Sequence, residues 1–499
     1  MRGQVACIQP APNAFSDVMR QFLLIAALVA FISLFAAVHL AAVARPLYVL
    51  GALILAVRAI RRSPWDYLTL SLWFWSISPF VRRVVDYYGG FQGQSIILIT
   101  PNVLAMLMIP SLLTSTELLK RRETIPGALL LGPVLCGLAV SFFKGEIFPG
   151  IIACIDWIIP LLYYFYLVNL IPRIREGEAH FKAFVPLNLG VVGIYGIYQC
   201  FNVPAWDMEW VMNVKMFTMA GTSDVFKIKP FSMLNSPGTC AAWVSTLILL
   251  SLHFRNRLSV VVLPAAVFFL ALTQVRANLG AVLFGLGIAL FSGQKQIVKS
   301  LLMFIAVAAV VLGTLSALDP RIAESLAGRF GTLGNLAEDQ SAQAREELYR
   351  SLPDLLEKYP LGLGIGGIGR GAVAGNNGNT DADFVSVDGG PIAIYLALGW
   401  AAGTIYFIGI FVIVGAALVA AKQSRSPTAL ALAITALGEA ATLPFTNLVG
   451  LQGLIIWLPA AYAIAIGGAG QAAGMSFYAR RAGDYPPVLA RSAPGTPSP

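Results

Sequence analysis

The sequence predicts an all-α polytopic integral membrane protein with about 12–14 transmembrane helices and one large periplasmic loop. Three observations predict it. Of the 499 residues, 57% are hydrophobic and only 12% are charged, with a mean hydropathy of +0.75. A soluble domain of this length carries about twice that charged fraction. Apolar runs of roughly 20 residues recur from Gln21 to Gly468. A single long polar stretch, Asp319 to Asp388, interrupts them. The formal charge of +9 fits the lysine and arginine excess of cytoplasmic loops better than a nucleic-acid partner.

In chain order, residues 1–20 form a cytoplasmic N-terminus. The first apolar run, Gln21 to Val43, is too long for a signal-peptide core and lacks a cleavage site. Further runs lie near 45–60, 66–81, 95–118, 127–143, 149–171, 183–200, 237–254, 258–273, 277–292 and 298–318, giving a transmembrane bundle over 21–318. The loop 319–388 follows. Runs at 390–421, 427–446 and 449–468 then give C-terminal transmembrane helices over 389–468, and the proline-rich residues 469–499 predict a disordered cytoplasmic tail. Basic clusters (Arg58 to Arg62, Lys120 to Arg122, Arg173 to Lys182, Arg255 and Arg257, Lys295 to Lys299, Lys422 to Arg425) favour cytoplasmic termini and an external 319–388 loop. Arg82, Arg83, Lys144 and Arg276 depart from that bias. Strict alternation is not expected to bring every basic loop to one side, so one or two runs are expected to be mis-cut or re-entrant.

Metal and redox chemistry find no support. The 5 cysteines show no ligand spacing, and the 3 histidines are scattered. Cys200 and Cys240 flank one external loop, where a disulfide is compatible with the placement but singled out by nothing.

Four features converge on the outer face. Lys227 and Lys229 precede a Ser-Pro-Gly helix start, which suits an anionic head group or equally a membrane-interface lysine pair with an ordinary cap. Arg276 sits in a hairpin (TQVRANLG) at membrane depth, where ionisable groups are costly and tend to be functional, the bland reading being an arginine snorkelling to the interface. Ser341 to Tyr359 has helical apolar spacing, with Pro353 as a candidate break and Arg345 in its first turn, where the pattern alone favours a solvated arginine paired with Glu346 or Glu347. The run containing Gly364, Gly366 and Gly369 formally matches GxGxxG. It lacks the strand-turn-helix setting of a dinucleotide site, leaving close backbone approach to a phosphate or glycan, or a tight turn. Asp388 then opens the next span as an N-cap or as a base. Glu439 is a lone acid within a span, expected to face the bundle.

Taken together, KPFSMLNSPGT, TQVRANLG, AREELYRSLPDLLEKYPLGLGIGGIG and VDGGPIAIYLALGWAAG, over residues 229–404, resemble the O-antigen ligase and polysaccharide polymerase (Wzy-type) superfamily. The resemblance implies a helical bundle similar to integral-membrane glycosyltransferases, in the bacterial inner membrane. It implies transfer of a glycan from a polyprenyl diphosphate without metal or cofactor, with membrane lipid and polysaccharide export or chain-length proteins as partners and no nucleic acid. The family arginines fall on Arg276, where Val275 replaces the usual serine, and on Arg345. The ligase histidine position is Asp388, which is more like the exopolysaccharide polymerase branch than lipid A-core ligation. In this reading the two guanidiniums clamp the departing diphosphate and Asp388 takes the acceptor proton. The alternatives are a lipid-linked oligosaccharide flippase, an O-antigen ligase acting on a lipid acceptor, and a membrane scaffold of an export complex.

Overall fold

The computed structural model describes residues 14–216, 220–221, 227–292, scattered positions between 299 and 317, 340–375 and 389–483. The helices are α1 (Ala14–Ala37), α2 (Ala41–Arg62), α3 (Pro64–Gly89), α4 (Thr100–Met106), α5 (Ile109–Leu113), α6 (Ile125–Phe143), α7 (Ile147–Asn169), α8 (Gly177–Phe201), α9 (Ala205–Asn213), α10 (Pro237–Ser251), α11 (Ser259–Thr273), α12 (Arg276–Phe291), α13 (Gln340–Lys358), α14 (Gly369–Gly375), α15 (Gly390–Ser424), α16 (Pro427–Ala440) and α17 (Leu451–Gly483). Among the described residues there is no strand, only one isolated bridge between Gly221 and Ile228.

Nine described helical segments are long and apolar enough to cross a membrane, and α10, α11 and α12 are shorter apolar helices. α3 also runs the depth of the bundle, although Asp66, Arg82, Arg83 and Asp86 dilute its apolar character. The protein is therefore a helical multi-pass membrane protein. α17 is its axis, buried along nearly all of Leu451 to Ala465 and packed on α7, α15 and α16. α1 lies at the periphery, with Leu23, Phe31 and Leu34 exposed as a lipid-facing surface. The apolar run 298–318 and the loop residues 318–339 and 376–388 lie almost entirely outside the described residues.

Helix directions define two ends. At the first, Arg62 pairs with Asp17 at 2.9 Å, Trp65 Nε1 donates to Arg173 O at 3.1 Å, Tyr164 OH donates to Glu123 O at 2.6 Å and Asn256 Nδ2 donates to Lys182 O at 3.1 Å. Arg61, Arg122, Arg175, Arg257 and Arg425 gather there as well, so we term it the basic end. At the other, Arg45 pairs with Asp86 at 3.0 Å and Lys144 Nζ donates to Gly362 O at 3.0 Å. Among the described residues the expected mis-cut runs are not needed. The 95–118 run is a single crossing assembled from a 3-10 turn, α4 and α5, and the described basic loops share one end. Cys200 and Cys240 are buried thiols rather than a bridge, with Cys200 Sγ donating to Gly196 O at 3.4 Å.

The feature that shapes the second end is a break in α15. Gly399 has φ 72° and ψ −171°, outside helical space. The break frees two backbone groups, and the turn that follows α13 takes both. Leu363 N donates to Leu396 O at 2.7 Å, and Trp400 N donates to Pro360 O at 3.1 Å. Contact there is backbone on backbone, since a Cβ at Gly399 would lie 2.4 Å from Leu361 C and Pro360 O.

Gly399→Ala therefore meets both a left-handed φ and a backbone overlap, together worth about 3 kcal/mol or more. Gly415→Ala, elsewhere on α15 with nothing within 4 Å, is the control. Melting in detergent is expected to drop sharply for the first variant and hold for the second. Equal melting of both would remove the docked turn as a structural element.

Candidate functional site

Two sequence motifs meet at the second end. α11 finishes at Gln274 in the left-handed region (φ 60°), and Val275 is extended and caps nothing with its side chain. The hairpin reverses within these two residues and sets Arg276, half-buried, in the first turn of α12. Two positions on, Asn278 is fully buried. α12 runs antiparallel to α16. Gly438 permits the approach, because a Cβ there would sit 3.1 Å from Ala281 O. Glu439 is completely buried beside it, as expected of a bundle-facing acid. Its Oε1 accepts from Ser245 Oγ at 2.6 Å, and Asn278 Nδ2 donates to Ser245 Oγ at 3.3 Å and to Glu439 Oε2 at 3.5 Å.

Beyond Glu439 the chain turns through Leu443–Phe445 to Thr446, and the start of α15 packs on that turn. A Cβ at Gly390 would lie 2.8 Å from Thr446 O and 3.0 Å from Leu443 O. One at Gly389 (φ +137°) would lie 3.5 Å from both Pro444 O and the Tyr349 hydroxyl. Tyr349 donates to Pro444 O at 3.3 Å. It stands one turn beyond Arg345 on α13, where residues four apart share a face. α13 is continuous through Pro353, so the candidate break does not occur. The helix of Arg345 thus reaches the start of α15 at Gly389, whereas Asp388 lies outside the described residues. Arg350 pairs with Glu346 at 2.6 Å with its side chain 78% exposed.

The glycine run is a docking turn. Gly364 (φ +84°) lies against α6, where a Cβ would come 2.5 Å from Ser141 Oγ. Gly366 N donates to that same Oγ at 2.8 Å, and a Cβ on Gly366 would come 2.7 Å from Gly150 N. Gly369 (φ +56°) faces open space. Arg370 follows it and pairs with Asp156 of α7 at 2.7 Å. Lys144 lies 5.4 Å from the Tyr359 ring centre. Beside it, burial pushes the Glu146 carboxyl above its ordinary range, against the pull of Lys144. Glu146 Oε2 has no hydrogen-bond partner among the described residues.

The lysine motif lies in the segment before α10. Lys227 is exposed and Lys229 half-buried, with Lys229 N donating to Ala220 O at 2.7 Å. Their segment is tied to α8, where Gln199 Oε1 accepts from Phe231 N and Ser232 N, each at 2.9 Å. Ser236 caps α10 by accepting from Thr239 N at 3.3 Å, with Pro237 in the first turn.

Sequence reasoning did not foresee a buried ionic lattice near the C-terminal end of α3. Arg82 pairs with Asp86 at 3.2 Å and stacks 4.5 Å from the Trp210 ring centre. Arg83 and Asp207, both side chains wholly buried, lie 3.0 Å apart without an aligned hydrogen bond. Burial raises the Asp207 carboxyl, opposed by Arg83. Tyr195 OH and Gln199 Nε2 donate to Asp207 Oδ2 at 2.8 and 2.7 Å. The only signal in the sequence was the misfit of Arg82 and Arg83 with the charge bias. Among the described residues, no three His, Cys, Asp or Glu side chains are grouped to hold a metal ion.

Residues 259–407 match the family model described as O-antigen ligase. No match was found among curated proteins. The matched segment begins with α11 and ends within α15, so it contains the Arg276 hairpin, α13, the docked turn and the Gly399 break.

Arg83→Met is expected to destabilise the protein by about 3 kcal/mol, the lower part of the range for stranding one member of a buried pair, because Tyr195 and Gln199 still serve Asp207. Arg350→Met removes only an exposed pair worth ~0–1 kcal/mol. Detergent melting curves compare the two, and matching curves would show that the buried pair contributes nothing.

Proposed function

We propose that this membrane enzyme of O-antigen or polysaccharide assembly is a glycosyltransferase that polymerises or transfers polyprenyl-diphosphate-linked saccharide units at the periplasmic face. The observation that carries the reading is the junction of Tyr349, Pro444 and Gly389. It gathers the Arg345 helix and the start of α15 onto the turn after Glu439, while Glu439 itself holds the first turn of the Arg276 helix. In the reaction an acceptor hydroxyl oxygen attacks the anomeric carbon and the bond to the diphosphate oxygen breaks. Negative charge grows on the leaving diphosphate, and Arg276 and Arg345 neutralise it with planar, permanently charged forks. Donors aimed at developing charge commonly supply about 3–4 kcal/mol each. The hydroxyl proton passes to the Asp388 carboxylate. An aspartate where ligases carry histidine favours a saccharide acceptor over lipid A-core, hence the polymerase side of the superfamily. Lys227, Lys229 and Gly369 are left to meet the lipid-linked glycan further out. Gly364 and Gly366 serve it by holding the docked turn.

Orientation follows from charge. The basic end is proposed to be cytoplasmic, with both termini there and the 319–388 loop outside. Asn377→Cys is expected to react with an impermeant maleimide in intact spheroplasts. Reaction only after lysis would reverse the topology.

Purified protein in lipid, given polyprenyl-diphosphate oligosaccharide in EDTA-containing buffer, is expected to lengthen the glycan without a lipid A-core acceptor. Arg276→Lys and Arg345→Lys should each lose on the order of 10²-fold in turnover, while Arg350→Lys stays near wild type. Product formed only with lipid A-core would make the protein a ligase. Equal activity of the three lysine variants would remove the arginine clamp, and a requirement for added magnesium or manganese would remove metal independence.

A further inference from the structure

The first turn of α12 raises a mechanical question that the clamp itself leaves unanswered. Arg276 is the first residue of its helix, and Val275 before it offers no side-chain cap. The hairpin that delivers it is only two residues long, with Gln274 in the left-handed region. Within the turn, Val275 N donates to Thr273 Oγ at 3.5 Å. What lies one step deeper is a closed polar cluster joining three helices, namely Ser245 of α10, Asn278 of α12 and Glu439 of α16, all with relative exposure of 0%.

The donor and acceptor arrangement is specific. A carboxyl group offers two oxygens. One takes the Ser245 hydroxyl at 2.6 Å and the other faces the Asn278 amide nitrogen at 3.5 Å, while that nitrogen also donates to Ser245 Oγ at 3.3 Å. Asn278 Oδ1 is buried with no hydrogen-bond partner among the described residues. Buried polar groups at membrane depth are expensive and persist where they do something. Packing alone would be served as well by leucine at position 439, since Gly438 and Gly285 already bring α12 and α16 together.

We infer that Glu439, through Asn278 and with Ser245, is a positioning residue for Arg276: it pins the first turn of α12 so that the guanidinium is held at the diphosphate. This rests on the clamp reading above and deepens it. A fork must be placed within a fraction of an ångström to be bidentate, and misplacement by about 1 Å costs up to 10²-fold in rate. Losing the pin therefore lowers turnover while leaving substrate capture by the rest of the site in place. The hydrogen bonds, not the charge, do the pinning. Glutamine at 439 can still accept from Ser245 through its carbonyl. If the Asn278 amide turns over, glutamine can also donate to the now unused Asn278 Oδ1.

The test is a double-mutant cycle on turnover of polyprenyl-diphosphate oligosaccharide by the full chain, with Glu439→Leu and Arg276→Lys singly and together. Glu439→Leu is expected to lower kcat about tenfold with KM within about twofold, Glu439→Gln to stay within about threefold of wild type, and Glu439→Leu to cost less than about twofold when added to Arg276→Lys. If the double variant loses the product of the two single factors, Glu439 does not act through Arg276 and the inference falls while the clamp stands. If Arg276→Lys is itself fully active, the clamp falls and takes the pin with it. Wild-type turnover in Glu439→Leu, or equal losses in the Gln and Leu variants, also overturns the inference. Should Glu439→Leu fail to fold, Ser245→Ala runs the same cycle, with Ser245→Thr expected to restore activity.

Discussion

A membrane protein has no water at depth to satisfy a stray peptide group, so every departure from helix must be answered by another piece of backbone. In this protein that demand falls on Gly399. Its non-helical geometry opens α15, and the turn at 360–363 supplies the partners the helix gives up. The arrangement is reciprocal, because the turn has no regular structure of its own and needs the helix as much. α13 ends one residue before the turn begins. The helix carrying Arg345 is thus anchored by the docked turn at its C-terminal side and by Tyr349 on Pro444 in its middle.

The second source of order is electrostatic. Arg45, Arg82, Arg83 and Arg370 are set among Asp86, Asp156 and Asp207, with the carboxylates buried. Each ion removed from water costs several kcal/mol, which its partner and added hydrogen bonds offset only with close geometry. What such pairs contribute is register. The Arg83–Asp207 pair joins α3 to α9, and Arg83 Nη2 also donates to Ser232 O at 2.5 Å. Together with Gln199, Arg83 thereby ties the described parts of the 201–236 connection to the bundle. Arg370 does the equivalent for the docked turn by reaching Asp156, whose own carbonyl accepts from Gly450 N at 2.8 Å.

Sequence periodicity read well wherever the determinant was local. The apolar runs, the amphipathic α13, the Ser236 cap and the buried setting of Glu439 all follow from residues within a few positions of one another, and the resemblance holds over 259–407. Reading failed where the determinant lay far away. Nothing near Gly364 shows that its missing side chain makes room for Ser141, and Gly366 bonds across 225 positions. A glycine-rich run looks the same whether it approaches a phosphate or a helix. Arg82 and Arg83 broke the charge pattern visibly, yet their carboxylate partners could be assigned only by tertiary contact. The strand-free setting of the run excluded a dinucleotide site and could go no further.

The order of synthesis gives the broken helix a further meaning. The ribosome delivers α6 and α7 first, then the turn at 360–367, and α15 after it. The docked turn can settle against Ser141 and Gly150 before its other partner exists. Pro360 O and Leu363 N are then the groups on which α15, made later, docks at the level of its break. The docked turn then serves as an internal template for the break in α15. Closure of the second end is then a docking event between segments far apart in the chain, the sort of long-range contact that is intrinsically slow to form.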